Sequence, residues 1–433
     1  MLNEFRRQQA SAHFEHGLRL ERSGRFDEAM SEYKHAVEAD PSYAVAHNAL
    51  GMHYRRKGLL TKAIEEFHMA VNLAQDYESY FNMGKTLFDL GRHNEAREAF
   101  KHCLDLAPGD PEARYELACT NYGLGEYADA LTDMHDLANQ YPADWEFPYV
   151  VGSCYLRLGE YHEAEEEFRK AVSLAKNEED TWSAGDALAV AQRHQEFELG
   201  KSLSLKERFY KDYGVAYLGT GHDDGLEIPE YFVYNFTYHD IAITLRRFLR
   251  LVEAFGWQFE TLVSLDAESY PLALALGQLL GAPVKETDEI GDGEAGNGEF
   301  ALLIFGIGRT PELFQVAMER LPETALSFGL CVSWLKQGEI LPDIMGISTM
   351  EESSLPWRRV TPLSRQQTPA DQQGGAIVLK PPYEDHREPG EIAEDIISAL
   401  DELPDDQRLD DEVAYYTEKH SRLRFLQSDQ GRN

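Results

Sequence analysis

Residues 43–76 read YAVAHNALGMHYRRKGLLTKAIEEFHMAVNLAQD, and four places in this stretch recur along the chain. The small residue Gly51 has counterparts at Gly17, Gly84, Ala118, Gly152 and Gly185, at steps of 33 or 34. Gly58, seven residues on, is matched by Gly24, Gly91, Gly125 and Gly159. Ala63 is matched by Ala29, Ala96, Ala130 and Ala164, and Phe67 by Tyr33, Phe100, Met134 and Phe168. Pro41, Pro108 and Pro142 close three of the units. Self-similarity at this period marks a repeat architecture in which each unit buries its apolar face against the next.

Each unit reads as two antiparallel helices, A and B. The first small residue lets helix A approach helix B closely. The second glycine takes the turn between them, where a positive φ is expected. The alanine and the large apolar residue four places later share one face of helix B, which must pack on helix A. A proline then ends helix B, because it cannot continue the hydrogen-bond ladder and it restricts the residue before it.

This pattern resembles the tetratricopeptide repeat, with agreement at five positions across five units between residues 10 and 177. The segment from Glu178 to Gly200 reads as a sixth helix A that caps the open end of the array. The resemblance implies a right-handed superhelix whose concave face is lined by A helices. On that face it places Phe14, Leu18, Glu21 and Arg22, then Asn48, Met52, Arg55 and Arg56, then Phe81, Lys85, Phe88 and Asp89. Tyr115, Cys119, Tyr122, Tyr149, Ser153 and Arg157 follow in the fourth and fifth units. Rings alternating with guanidinium groups suit a protein or peptide partner held in the groove. The competing reading is that several rings pack between units. Family members that hold chaperone tails carry a Lys and Asn clamp on the first A helix. Phe14 and Leu18 stand at the clamp places here, which speaks against that partner.

Composition narrows the function further. Asp and Glu number 76 against 41 Lys and Arg in 433 residues, a formal charge of −35. Wrapping nucleic acid or adhering to an anionic membrane needs clustered basic groups, so neither is expected. No apolar run reaches the length of about 18 residues that a membrane span needs. MLNEFRRQQA has basic residues with no apolar stretch behind them, unlike a secretory signal. Cys103, Cys119, Cys154 and Cys331 are not closely paired, which predicts reduced thiols in a cytoplasmic protein and no zinc site.

Beyond Leu199 the register is lost and strand-like runs alternate with helical ones. HDIAITLRRFLRLVEAFG predicts a helix from His239, with Ile241, Leu245, Phe248 and Val252 on one face. FETLVSLD predicts a buried strand, PLALALGQLLG a helix opened by Pro271, and PVKETDEI a second strand. FALLIFGI follows the glycine-rich loop GDGEAGNG, then come the helix TPELFQVAMERLP and the strand ALSFGLCVSWL, with GGAIVLKP as a further candidate strand. The expected fold class is α + α/β: a helical-hairpin superhelix (1–200) followed by a three-layer α/β domain (208–383) with a mainly parallel sheet. Residues 384–433 are expected as an acidic, partly helical tail.

The run VSLDAESYPLALALGQLLGAPV resembles the opening of a type I phosphoribosyltransferase, and ALLIFGIGRTPELFQVAMERL keeps that family's strand, turn and helix. The resemblance implies an acidic pair at the strand end and a small phosphate-cradling loop. Phe305 and Gly306 replace the acids, and Gly308, Arg309, Thr310 and Pro311 replace the loop. Without the acids the ribose hydroxyls and Mg²⁺ lose their partners, which implies a degenerate, inactive member. A methyltransferase-like nucleotide fold is weaker, because Ala267, Glu268 and Ser269 stand where that family needs glycines.

Gly308, Arg309 and Thr310, at a helix start, are the candidate anion site, with an ordinary helix cap as the alternative. His222, Asp223 and Asp224 read as a solvated loop in preference to a metal or acid–base site. EIAEDIISALDEL, in the acidic stretch from Glu384 to Glu412, carries Ile392, Ile396, Ile397 and Leu400 on one side; a solvated charge run is the default expectation there, against docking on a partner or on its own domain. Residues 350–373 read as a long loop or linker. No Walker loop, nucleophile elbow or HExxH helix is present. The expected function is a protein-interaction scaffold whose α/β domain docks or dimerises, with no cofactor or metal. The alternative is an enzyme acting on a nucleotide or phosphosugar with repeat-mediated substrate recruitment.

Overall fold

Five helical hairpins and a single further helix follow one another from the N-terminus in a computed structural model. It describes residues 2–137, 140, 144–198, 200–219, 235–289, 300–322, 324–333, 340–349, 353–359, 383–404, 411 and 413–427. The A and B helices are α1 (Leu2–Arg22) and α2 (Phe26–Ala39), α3 (Ala44–Arg56) and α4 (Leu60–Ala74), and α5 (Tyr77–Asp89) and α6 (His93–Leu106). Next come α7 (Pro111–Gly123) and α8 (Tyr127–Leu137), α9 (Glu146–Leu158) and α10 (Tyr161–Leu174), and finally α11 (Glu178–Gln195). The chain divides into two compact units, Met1–Ala191 and Gln192–Asn433.

The repeat places do what their spacing predicts. Gly24, Gly58, Gly91, Gly125 and Gly159 have φ between 70° and 82° at the A-to-B turns. A Cβ on Gly17 would stand 2.6 Å from Tyr33, and one on Gly51 2.6 Å from Phe67. In the fourth unit Ala118 already carries a Cβ, and the buried residue opposite is the slimmer Met134. Pro41 and Pro108 lie just beyond the ends of α2 and α6, whereas Pro142 falls outside the described residues. The second unit has no such proline; α4 stops at Gln75, which takes a left-handed φ of 47°. Gly185 departs from the pattern: nothing lies within 4 Å of its would-be Cβ, because no helix B follows α11.

The second unit is built on a six-stranded sheet with order β1-β6-β5-β4-β2-β3, every pairing parallel. The strands are β1 (Ala216–Tyr217), β2 (Thr261–Ser264), β3 (Val284–Glu286), β4 (Ala301–Gly308), β5 (Leu326–Val332) and β6 (Ile344–Ser348). The helices are α12 (Leu205–Tyr213), α13 (Tyr238–Phe255), α14 (Tyr270–Leu280), α15 (Pro311–Glu319) and α16 (Pro389–Asp401). Successive strand residues enter different cores. Leu262, Leu302 and Ile304 join α13, α14 and α16 in one cluster, while Val263, Leu303 and Phe305 join Phe209 of α12 and Phe314 of α15 in the other. This alternation is the period-two geometry of a strand buried on both faces. β1 and β6 were not expected, while the glycine-rich loop 291–298 and the candidate strand 374–381 lie outside the described residues, as do His222, Asp223 and Asp224 and most of 350–373.

The acidic stretch beyond residue 384 corrects the expectation of a solvated tail. Ile392, Ala393 and Ile396 of α16 are buried against α13 and α14, so its charges occupy only the outer side of an amphipathic helix. Further on, Tyr416 Oη accepts from the Tyr217 N–H and donates to the Tyr217 carbonyl, both at 2.8 Å. The phenol thereby occupies the side of β1 that no strand pairs among the described residues. Glu196 accepts from Tyr210 Oη, His420 Nδ1 and Arg422, and Arg424 pairs with Asp343 at 2.7 Å. The last described residues are therefore part of this unit. Tyr416→Phe is expected to cost about 1–3 kcal/mol, since a phenyl ring replaces neither buried bond; urea unfolding of the variant checks this.

Candidate functional site

The A helices form the first candidate surface. α3 packs on α5 and α5 on α7, so neighbouring A helices crowd together and line the inner side of the array. One place recurs along this row as Phe14, Asn48, Phe81, Tyr115 and Tyr149. Phe14 stands edge-on to Tyr43 at 5.8 Å, Phe81 stacks on Tyr77 at 5.7 Å, and Tyr149 leans on Phe168 at 5.8 Å. Phe81, Tyr115 and Tyr149 are half-buried, each packed against the core of its own unit. Phe88 packs on His93 and Tyr122 on Tyr127 in the same way. Trp182 on α11 continues the row 33 residues after Tyr149 and is 70% exposed.

The charged members of the row are cross-paired between units. Arg55 reaches Asp89 at 2.8 Å, Arg56 reaches Glu21 at 3.0 Å and Lys85 reaches Glu116 at 2.7 Å. Asn48 is buried, and its side-chain oxygen accepts from Asn82 Nδ2 at 3.2 Å. Burial works against the charge on Glu21, but hydrogen bonds from Tyr33 and Arg56 outweigh it and hold its pKa below the usual carboxylate range. Such a ladder locks neighbouring units in register, and any acidic partner must displace one carboxylate to gain a guanidinium. Met52 and Arg157 are exposed on the same helices. The four cysteines are free thiols, and burial pushes those of Cys103, Cys119 and Cys154 up to about 12 and that of Cys331 up to about 11. They are poor nucleophiles and poor metal ligands.

The second candidate surface lies at the carboxyl ends of β2 and β4. β3 lies on one side of β2 and β5 on the other side of β4, so right-handed crossovers send α14 and α15 to opposite faces and open a crevice between the strand ends. The chain places Asp266, Glu268 and Ser269 after β2, and Arg309 and Thr310 after β4. Arg309 grips Glu268 with two hydrogen bonds, 2.8 and 3.1 Å long, and Arg358 adds a third at 3.2 Å. The Glu268 side chain is only 5% exposed. Its hydrogen bonds raise the Arg309 pKa above the usual guanidinium value. Trp357 Nε1 donates to the Glu268 carbonyl at 2.9 Å, and Ser269 Oγ accepts from the Gly306 N–H at 2.9 Å. The predicted anion site thus holds an internal carboxylate: Arg309 is turned onto Glu268, with Gly308 and Thr310 beside it. Neither Glu268 nor Arg358 was expected here.

Tetratricopeptide repeat models match residues 10–43, 42–109, 87–132 and 115–179, so the first unit carries tetratricopeptide repeats. Among solved structures, the chain is similar to YrrB, a TPR protein with an unusual peptide-binding site, at 21% identity and a TM-score of 0.38 over 40% of this chain and 90% of that one. MamA is similar at 26% identity and a TM-score of 0.35 over 36% of this chain and 93% of that one. A tetratricopeptide repeat protein from Parabacteroides merdae is 19% identical, with a TM-score of 0.39 over 43% of this chain and 74% of that one. No curated protein matches the chain.

Proposed function

We propose that the chain is an interaction adaptor that binds a protein or peptide along its A-helix groove and uses its α/β unit for docking or dimerisation. Tetratricopeptide repeat proteins are in general protein-interaction scaffolds, and none of the helices among the described residues is long and apolar enough to cross a membrane. The observation that carries the reading is the row of half-buried rings along the A helices, ending in the exposed indole of Trp182. Aromatic anchors of this kind dominate the energetics of peptide recognition. The partner is read as contacting Asn48, Met52, Arg55, Arg56, Phe81, Lys85, Phe88, Tyr115, Tyr122, Tyr149 and Arg157, with Trp182 added. Met52 and Trp182 offer direct apolar contact and Arg157 an exposed guanidinium at the same face; Arg55, Arg56 and Lys85, held by carboxylates of neighbouring units, set the shape and potential of the floor.

For the second unit we keep the three-layer α/β, phosphoribosyltransferase-like reading with its chemistry lost. What supports the loss is Glu268, which neutralises Arg309 at the place a phosphate would take.

Affinity capture from native cytosol tests the adaptor, with the full-length chain, Met52→Glu/Arg157→Glu and Arg309→Ala as baits. A specific partner retained by the full-length chain and by Arg309→Ala, but at least tenfold depleted on the groove variant, is the expected outcome. Equal retention on all three baits removes the groove from the account. Turnover of phosphoribosyl pyrophosphate or of a methyl donor establishes the enzyme in its place.

A further inference from the structure

The first repeat carries an imidazole cluster that the groove does not use. His13 and His16 stand one turn apart on α1, and Glu32 and His35 one turn apart on α2. His13 Nδ1 is 2.7 Å from Glu32 Oε2, and His16 Nδ1 is 3.4 Å from Glu32 Oε1. One ligand atom each from His13, Glu32 and His35 lies within 4.8 Å of the other two. The His13 and His35 rings are 5.4 Å apart, and the side chains of His13 and His16 are 42% and 51% exposed.

We propose that His13, His16, Glu32 and His35 bind a divalent transition ion of the zinc class and staple α1 to α2. Three imidazoles and one carboxylate are a donor set that suits such an ion and not magnesium or calcium, which take oxygen ligands. Tetrahedral coordination at normal bond lengths sets ligand atoms about 3.3 Å apart. The His16–Glu32 pair is already at that spacing, and exposed imidazoles on long helices reach the rest by rotamer adjustment. The ion takes the place of the proton between His13 Nδ1 and Glu32: a neutral imidazole keeps its single proton by carrying it on Nε2, and an imidazolium gives its Nδ1 proton to solvent.

The second repeat supplies an internal comparison. His47 and Glu66, 34 residues after His13 and Glu32, make the same contact at 2.7 Å, so the pair alone is an interhelical hydrogen bond. The counterparts of His16 and His35 are Leu50 and Met69, so the two additional imidazoles belong to the first repeat alone of these two. Leu50 is buried against Ala29, Met30 and Tyr33 of the first repeat, whereas His16 is exposed, so an imidazole there can turn toward Glu32.

The test is a Co²⁺ titration of the chelator-stripped, full-length protein, followed in the visible. Uptake of one equivalent is expected, with the ligand-field bands of a four-coordinate ion, no thiolate charge-transfer band, and displacement by Zn²⁺. His16→Ala and His35→Ala, both at exposed places with helicity checked by circular dichroism, are each expected to weaken binding about tenfold or more. Zn²⁺ is expected to raise the melting midpoint of the wild type and not that of the His16→Ala/His35→Ala variant. Absence of stoichiometric Co²⁺ uptake overturns the site, and so does uptake that the double variant leaves unchanged.

Discussion

Gly51→Ala is expected to destabilise the helical array by about 2 kcal/mol, although alanine is the better helix former by about 1 kcal/mol. The new Cβ stands 2.6 Å from the Phe67 ring, against about 3.5–4.0 Å for a relaxed carbon contact. Phe67 is fully buried and enclosed by Ile64, Met83 and Leu87, so the ring has no open direction in which to retreat. α3 and α4 must then separate, and every side chain between them loses contact. Gly185→Ala is the control: the same chemical change in α11, where nothing lies within 4 Å, is expected to be neutral or stabilising by up to about 1 kcal/mol. Phe67→Leu should lower stability alone yet recover part of it in the Gly51→Ala background, giving a coupling energy that isolates the contact. Urea unfolding monitored by far-ultraviolet circular dichroism measures all four variants against the wild type. Should Gly51→Ala prove as harmless as Gly185→Ala, the close approach of A and B helices is not what keeps the glycine.

That contact was readable before any coordinates because both its residues recur at fixed spacing within one unit. The turn glycines and Pro41 and Pro108 were readable for the same reason. The groove was readable only as positions. Arg55–Asp89, Arg56–Glu21 and Lys85–Glu116 join residues 31 to 35 apart in neighbouring units. Nothing local to one unit shows which carboxylate of a neighbouring unit an arginine will meet. Trp182 escaped because α11 has no helix B to complete the unit, although its distance from Tyr149 marks the place. In the second unit, β1 has two residues and β6 five, too short for alternation to show. The short apolar run from Ile344 to Ile347, bounded by Asp343 and Ser348, was the available signal for β6. α16 showed its apolar face in the sequence; its flanking acids drew the reading toward solvent. Glu268 and its arginines, 41 and 90 residues apart, meet only through the order of the sheet.

Removing both of those arginines should strand the carboxylate. Arg309→Ala/Arg358→Ala is expected to cost the α/β unit about 3–5 kcal/mol, the usual penalty for an uncompensated buried charge. Each single variant should cost less than half of this, because the remaining guanidinium still grips a carboxylate that is 5% exposed. Glu268→Gln in the doubly substituted background should restore much of the loss, since it removes the charge and keeps the side chain's shape. A purely packing role for the arginines would leave that rescue unseen, so urea unfolding of the four variants against the wild type separates the two accounts. The result also decides how the crevice is to be read. If Arg309→Ala lowers stability without any ligand, the guanidinium belongs to the fold, and only an additional, ligand-dependent loss would argue for phosphate binding. If Arg309→Ala leaves stability untouched but abolishes stabilisation by a phosphosugar, then Glu268 is a placeholder that the substrate displaces, and the unit is an enzyme. The bidentate geometry and the deep burial of Glu268 favour the first outcome: a ligand would have to replace, in a single exchange, a carboxylate already bound by two guanidinium groups.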